Sequence, residues 1–264
     1  MVEVLVRVVK TGVIFLTIFF IIFGLSTDGA AKRPATVSIG EGETKVELIE
    51  GFAQVMRVGT KDWISLKPGD SLENGDQVHT GVNSRMELAL PDSTVLRFAD
   101  NTRFRIVRID VSGETRQRNI KVDITLGRTW ANVRSVLGLK SDIELSCENA
   151  VTGVRGTIYR MNVYEDKSAL VRVYDGNVYV TSGGEKKTDV PGEMTHPYKI
   201  AGPHKVPGPR KVTVEEWTYI IRSMQQIRIR ADGWAEQPRG FTDQEDMNEW
   251  VEWNKKRDDF VSGN

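Results

Sequence analysis

The sequence predicts an all-β fold, an antiparallel sandwich or roll of two related β halves, followed by a C-terminal tail of two helices. Three observations predict it. Residues 35–199 alternate apolar and polar positions and are rich in Val, Ile, Thr and aromatics. Gly, Pro, Asn and Asp break this pattern at short intervals, with no long helical period between the breaks. The last fifty residues instead show helix-start signals and hold four of the six tryptophans.

Arg7 and Lys10 precede the uninterrupted apolar run 13–25 (VIFLTIFFIIFGL), and Gly29, Ala30 and Ala31 follow it. A positive start, an apolar middle and a small-residue end are the layout of a secretory signal peptide, which assigns residues 1–31 to export with cleavage after Ala31. The run is short of the roughly 20 residues that span a bilayer. Extended over Val8 and Val9 it becomes the alternative, an uncleaved anchor.

The body, residues 35–200, opens with turn-rich segments. Gly69-Asp70 and Asn74-Gly75-Asp76 cluster acids and glycines, but they lack the Asp/Asn ladder and distal glutamate of a calcium loop, so they read as tight β-turns. Met86, Leu88 and Leu90 alternate onto one face; Pro91-Asp92-Ser93 turns the chain, and residues 95–98 return as the second strand of a hairpin. Residues 158–164 and 169–174 form a second pair. Asp175-Gly176 then reads as a two-residue turn with positive φ at both central positions, leading into Val178-Tyr179-Val180. Cys147, the only cysteine, falls in a strand over 143–147 and reads as a small buried hydrophobe. An internal echo spans the body. Thr80-Gly81-Val82 is followed by Met86, Leu88 and Leu90, and 72 positions later Thr152-Gly153-Val154 is followed by Tyr159, Met161 and Val163. The two sets are out of phase by one residue, as a bulge would produce.

Five of the nine prolines lie between Pro191 and Pro209, and residues 201–212 read as an extended Pro/Gly-rich linker. The tail is 213–264. Thr213-Val214-Glu215-Glu216 fits a capping box, and Trp217, Ile220, Ile221 and Met224 follow at helical spacing. Thr242-Asp243-Gln244-Glu245 is a second capping box, with Met247, Trp250, Val251 and Asn254 on the face behind it. Trp217, Trp234, Trp250 and Trp253 are the candidate interaction surface; docking of these rings on the β domain is the simpler alternative.

The composition narrows function. Lys plus Arg and Asp plus Glu are each 36, and the balance survives removal of residues 1–31, which carry two of each sign. A general electrostatic grip on nucleic acid is therefore not expected. No Gly-x-Ser-x-Gly, P-loop or His-Glu-x-x-His motif occurs, and His79, His196 and His204 have no local partners. No catalytic residue, cofactor or metal ligand is assigned. The expectation is a protein that is not an enzyme, with a carboxylate-dependent envelope hydrolase as the less favoured alternative.

The β segment resembles the FecR domain family. The resemblance is carried by residues 66–81 (LKPGDSLENGDQVHTG), 86–90, 92–96, 126–133 (LGRTWANV), 149–159 (NAVTGVRGTIY) and 171–180 (VRVYDGNVYV). Its motif positions here are Gly75, Asp76, Thr80, Gly81, Gly127, Thr152, Val154, Arg155, Gly156, Thr157, Tyr159 and Gly176, all read as structural: glycines for positive φ or close approach, and Arg155-Gly156-Thr157 for a corner of the fold. The resemblance implies an exported domain in the periplasm or envelope of a Gram-negative bacterium. In the name-giving proteins such a domain belongs to a cell-surface signalling regulator with a cytoplasmic segment that controls a sigma factor. Two features depart from that plan. Only about a dozen residues precede the apolar run, and the tail is not the expected transporter-contacting segment. The expectation is thus an exported binding or signalling module whose partner is an envelope protein or glycan, with a membrane-anchored regulator as the alternative if residues 1–31 are retained.

Overall fold

The computed structural model describes residues 44–112, 117–135, 140–183 and 217–263. The predicted signal segment, the linker 201–212 and the first capping box at Thr213 lie outside the described residues. Eight strands build the first half: β1 (Lys45–Glu50), β2 (Ala53–Met56), β3 (Trp63–Ser65), β4 (Gln77–Thr80), β5 (Arg85–Ala89), β6 (Val95–Phe98), β7 (Arg103–Ser112) and β8 (Gln117–Val133). The second half comprises β9 (Lys140–Cys147), β10 (Ala150–Val154), β11 (Thr157–Val163), β12 (Ala169–Asp175), β13 (Asn177–Ser182), β14 (Thr218–Arg222), β15 (Gln225–Ile229) and β16 (Arg239–Gly240). Helices α1 (Asp243–Asp246) and α2 (Glu249–Gly263) follow.

The strands form two sheets. The first runs β1-β5-β6-β8-β11-β12-β15-β16. The second runs β3-β2-β4-β7-β8-β9-β10-β13-β14. All neighbours are antiparallel except β8 and β9. The long strand β8 belongs to both sheets: its first part pairs with β7 and β9, its last part with β6 and β11. It crosses at Gly127, whose φ of +109° is open to glycine.

The fold is all-β, and the sequence echo has a topological counterpart. In β4-β5-β6-β7 the outer strands pair in the second sheet and the inner strands pair in the first. In β10-β11-β12-β13 the same exchange recurs. The likeness extends outward, because β1 and β2 flank the first unit as the end of β8 and β9 flank the second. Each Thr-Gly turn of the echo therefore lies near a passage of the chain from one sheet to the other.

The inner faces of the two sheets meet in one core. Met86, Leu88, Leu96, Met161 and Val171 come from the first sheet, and Val55, Val78, Ile106, Ile124 and Leu145 from the second. Phe98 and Phe104 stack across the gap with ring centroids 3.6 Å apart. Burial of this alternating set is the main favourable term, as in any sandwich. The β5–β6 hairpin turns at Ser93 with φ +66°, and buried Asp92 accepts from Thr94 N (3.0 Å) and pairs with buried Arg118 of β8.

Three expectations are corrected. First, Asp175-Gly176 is not a hairpin turn. β12 lies in the first sheet and β13 in the second, and only Gly176 of the two has positive φ, so the dipeptide turns a corner between sheets. Second, residues 217–224 are not a helix. Tyr219 and Ile221 face the core, while Thr218, Ile220 and Arg222 face outward, a period of two. In so short a run the helical set Trp217, Ile220 and Ile221 competes with an alternating set, Trp217, Tyr219 and Ile221. Pairing with β13 and the β-branched and aromatic content decide for a strand. Met224, at φ +60°, turns it into β15. Third, the β domain extends beyond residue 200, because β14, β15 and β16 join the two sheets, and among the described residues the helices are confined to 243–246 and 249–263.

The Thr242 capping box forms as expected: Glu245 N donates to Thr242 Oγ1 (3.2 Å) and Thr242 N donates to Glu245 Oε2 (2.9 Å). The helix then breaks at Met247, which is half exposed rather than on the buried face. Asn248 restarts it by accepting from Val251 N at 3.2 Å.

Candidate functional site

Each sheet has one outer face, and the two differ. On the first sheet, outward positions alternate with core residues and carry Glu87, Arg97, Trp130, Arg160, Arg172 and Tyr174. The helical tail covers this face. Arg97 Nε bonds Glu87 at 2.6 Å and its Nη1 bonds Asp258 at 2.6 Å. Trp130 Nε1 donates to the other Asp258 oxygen at 2.9 Å. Arg257 of α2 grips Glu87 with two bonds of 2.8 and 2.9 Å. At the other end Asp246 accepts from Arg160 Nε (3.0 Å), from Arg172 and from the Tyr174 hydroxyl.

The four predicted tail tryptophans therefore do not form one surface. Trp250 is buried against Ala99, Trp130 and Val251, and Trp253 stacks on it at 5.5 Å beneath Arg85. Trp217 packs half-buried beside Tyr219 and donates to Gly233 O at 3.0 Å. Only Trp234 stands in solvent, with Arg230 over its ring. The tail docks on the sheet, the simpler of the two readings.

The carboxylates of this seal are depressed. Burial raises Asp246, but the hydrogen bonds of Arg160 and Tyr174 and the charges of Arg160 and Arg172 outweigh it. Burial likewise raises Glu87, and its bonds to Arg257 and Arg97 bring it below the ordinary carboxylate range. A carboxylate depressed in the folded state contributes stability above its unfolded pKa and loses that contribution as pH falls through the folded one. Acidification below about pH 4 should thus free the tail before the sheets unfold. Limited proteolysis against a pH series, alongside far-UV circular dichroism, reads this; a tail still protected at about pH 2.5 would contradict it.

The motif residues sit at corners. Thr80 Oγ1 donates to Ala99 O (2.5 Å) and accepts from Thr102 N (2.9 Å), beside the Gly127 crossing. A Cβ on Gly81 would strike the Phe52 ring, and one on Gly75 would strike Val58. Asp76 accepts from Glu73 N (2.9 Å) and pairs with Arg57 at 2.5 Å. In the second unit the Thr152 hydroxyl donates to Leu145 O (2.9 Å) and meets the Tyr159 hydroxyl at 3.1 Å; burial pushes that phenol up. Thr157 Oγ1 donates to Asn177 O at 3.0 Å, and Gly176 approaches Gly156 O so closely that a Cβ would lie 2.6 Å from it. Val154 is buried at the end of β10, and Arg155 is exposed on the turn. Their places serve the corner.

The second sheet has an outer face with nothing over it among the described residues, and sequence reasoning missed it. Cross-strand pairing aligns Trp63, Met56, Gln77, Arg105 and Asp123 in one row. Ser65, Gln54, His79 and Arg103 form the adjacent row. Of these, Gln54, Trp63, Gln77, His79, Arg103, Arg105 and Asp123 line a shallow concavity of about 670 Å³. Trp63 is 43% exposed and Phe52 50% exposed. His79 stands between them, with its ring 6.0 Å from Trp63 and 6.3 Å from Phe52. Polar alternation in β4 and β7 was the available signal, but it could not say which face the tail would leave open. No group of three His, Cys, Asp or Glu side chains placed to hold a metal occurs among the described residues, and none of their helices is long and apolar enough to cross a membrane.

No curated protein matches the chain. Two crystal structures of a protein from Parabacteroides distasonis ATCC 8503, described as a "putative anti-sigma factor" and solved at 1.65 and 2.50 Å, are similar at 17% identity and a TM-score of 0.41. Each match covers 62% of this chain and 59% of the other, so the chain spans less than two thirds of that protein's length. The family model described as "FecR protein" matches residues 76–179. Those bounds run from the start of β4 into β13 and take in the first copy of the repeated four-strand unit and all but the end of the second. Residues 76–179 are a FecR domain.

Proposed function

We propose that this chain is an exported, non-enzymatic signalling and binding module of the cell envelope, and that it receives its signal on the open face of the second sheet. The observation that carries the reading is the difference between the two outer faces. One is filled by the chain's own tail through buried ion pairs. The other presents exposed aromatic, imidazole and guanidinium groups on a rigid sheet. Binding groups on regular strands are held in place by the ladder beneath them. The FecR match, which takes in β4, β7 and β8 of this face, supports a regulatory role.

Photocrosslinking in the native host tests this. A photoreactive residue at position 63 should yield a defined adduct with an envelope component, and the same residue at position 252, on the exposed side of α2, should not. Equal adducts at both positions, or none at 63, would overturn the reading. The apolar run 13–25 favours one second reading, a membrane-anchored regulator. N-terminal sequencing separates the two: a mature terminus at Lys32 means export, and an intact Met1 in the membrane fraction means an anchor.

A further inference from the structure

We infer that the concave end of the open face, where β3, β2, β4, β7 and β8 lie side by side, is a binding site for an anionic oligosaccharide. The inference rests on the reading of that face as the recognition surface and adds the class of ligand. Neighbouring strands are about 4.8 Å apart, so the row from Trp63 to Arg105 extends roughly 14 Å, the reach of a short saccharide chain. At one end the Trp63 ring is exposed, with the His79 ring inclined at 62° to it. An exposed indole offers a face to the C–H side of a pyranose, and the negative charge of that face repels a carboxylate. In the middle, Gln54, Gln77 and His79 provide hydrogen-bond donors and acceptors on adjacent strands, suited to hydroxyls. At the far end stand Arg103 and Arg105.

These two arginines differ from those under the tail. Arg97, Arg160 and Arg172 are each bound to a buried carboxylate. Arg103 has no carboxylate partner among the described residues, and Arg105 meets Asp123 only at 3.7 Å, with both groups partly in solvent. Such a contact is weak, so a positive charge remains for a ligand carboxylate, which a guanidinium can grip through two parallel bonds. A protein interface core would be more apolar than this run of amides and imidazole. The volume, about 670 Å³, suits a ligand of a few rings.

Calorimetric titration of the full chain with tetragalacturonate, and with chitotetraose as the neutral counterpart, tests the proposal. Tetragalacturonate should bind and chitotetraose should bind more weakly. Trp63→Ala should lower the affinity for tetragalacturonate about tenfold. An Arg103→Gln, Arg105→Gln double variant should bind the two alike. Arg103 and Arg105 are exposed and Trp63 is 43% exposed at the end of the sheet, so the variants should stay close to the parent melting temperature, which is measured alongside. No binding of either saccharide, equal affinity in the parent chain, or binding that survives Trp63→Ala would each overturn the proposal. If position 63 crosslinks to a protease-sensitive adduct while no saccharide binds, the open face stands as the recognition surface and the saccharide assignment falls.

Discussion

Asp246→Ala is expected to destabilise the domain by roughly 3–5 kcal/mol, the usual result of removing one partner from a buried ion pair. Asp246 is 3% exposed and is the shared acceptor for Arg160, Arg172 and Tyr174. Without it two guanidiniums stay beneath α1 with no counter-charge, or the tail lifts and lets water reach them. Either outcome leaves Trp130 and Trp250 less well covered. Urea unfolding monitored by tryptophan fluorescence measures the change. Asp246→Asn, which keeps the shape and one carbonyl acceptor, should lie between the parent and the alanine variant. A loss below about 1 kcal/mol for Asp246→Ala would mean that the tail is held by its apolar contacts and that the ion pairs are incidental.

Gly127→Ala is the second large effect, about 3 kcal/mol. Two terms add. A φ of +109° is strained for any residue with a Cβ. That Cβ would also sit 2.6 Å from Thr102 Cα and 2.4 Å from its Oγ1. Thr102 cannot easily yield, because its N–H is held by Thr80 and its hydroxyl accepts from Arg128 N at 3.2 Å. Overpacking of this kind typically costs about 1–3 kcal/mol beyond the backbone strain. Gly153→Ala is the control. Gly153 lies within β10 with open space where its Cβ would be, so the change should be neutral or stabilising by a few tenths of a kcal/mol. Similar losses at both positions would remove the claim that Gly127 is required where β8 changes sheets.

Features encoded within a few residues were legible. The hairpin over β5 and β6 was readable because alternation and a turn tripeptide are local signals. The Thr242 capping box was readable because both of its hydrogen bonds close within three residues. The echo pointed to a real repeat because each copy carries its own Thr-Gly turn and hairpin. Residues 217–224 misled for a related reason. Five residues satisfy a helical and an extended period equally, and a strand that must pair with β13 takes its conformation from its partner. Asp175-Gly176 misled because a two-residue turn has the same composition whether the strands it joins share a sheet or lie in two.

By itself the sequence determined the all-β class, the corner glycines and the capped helical end, since alternation, backbone permissiveness and capping act on neighbours along the chain. Only the tertiary structure decided that β8 serves two sheets, that the tail seals one outer face, and that Trp63, His79 and Arg103 are left together on the other. Arg97 and Asp258 are 161 residues apart. No local pattern marks such a pair, because burial of one charge is tolerable only where a distant segment delivers the opposite one.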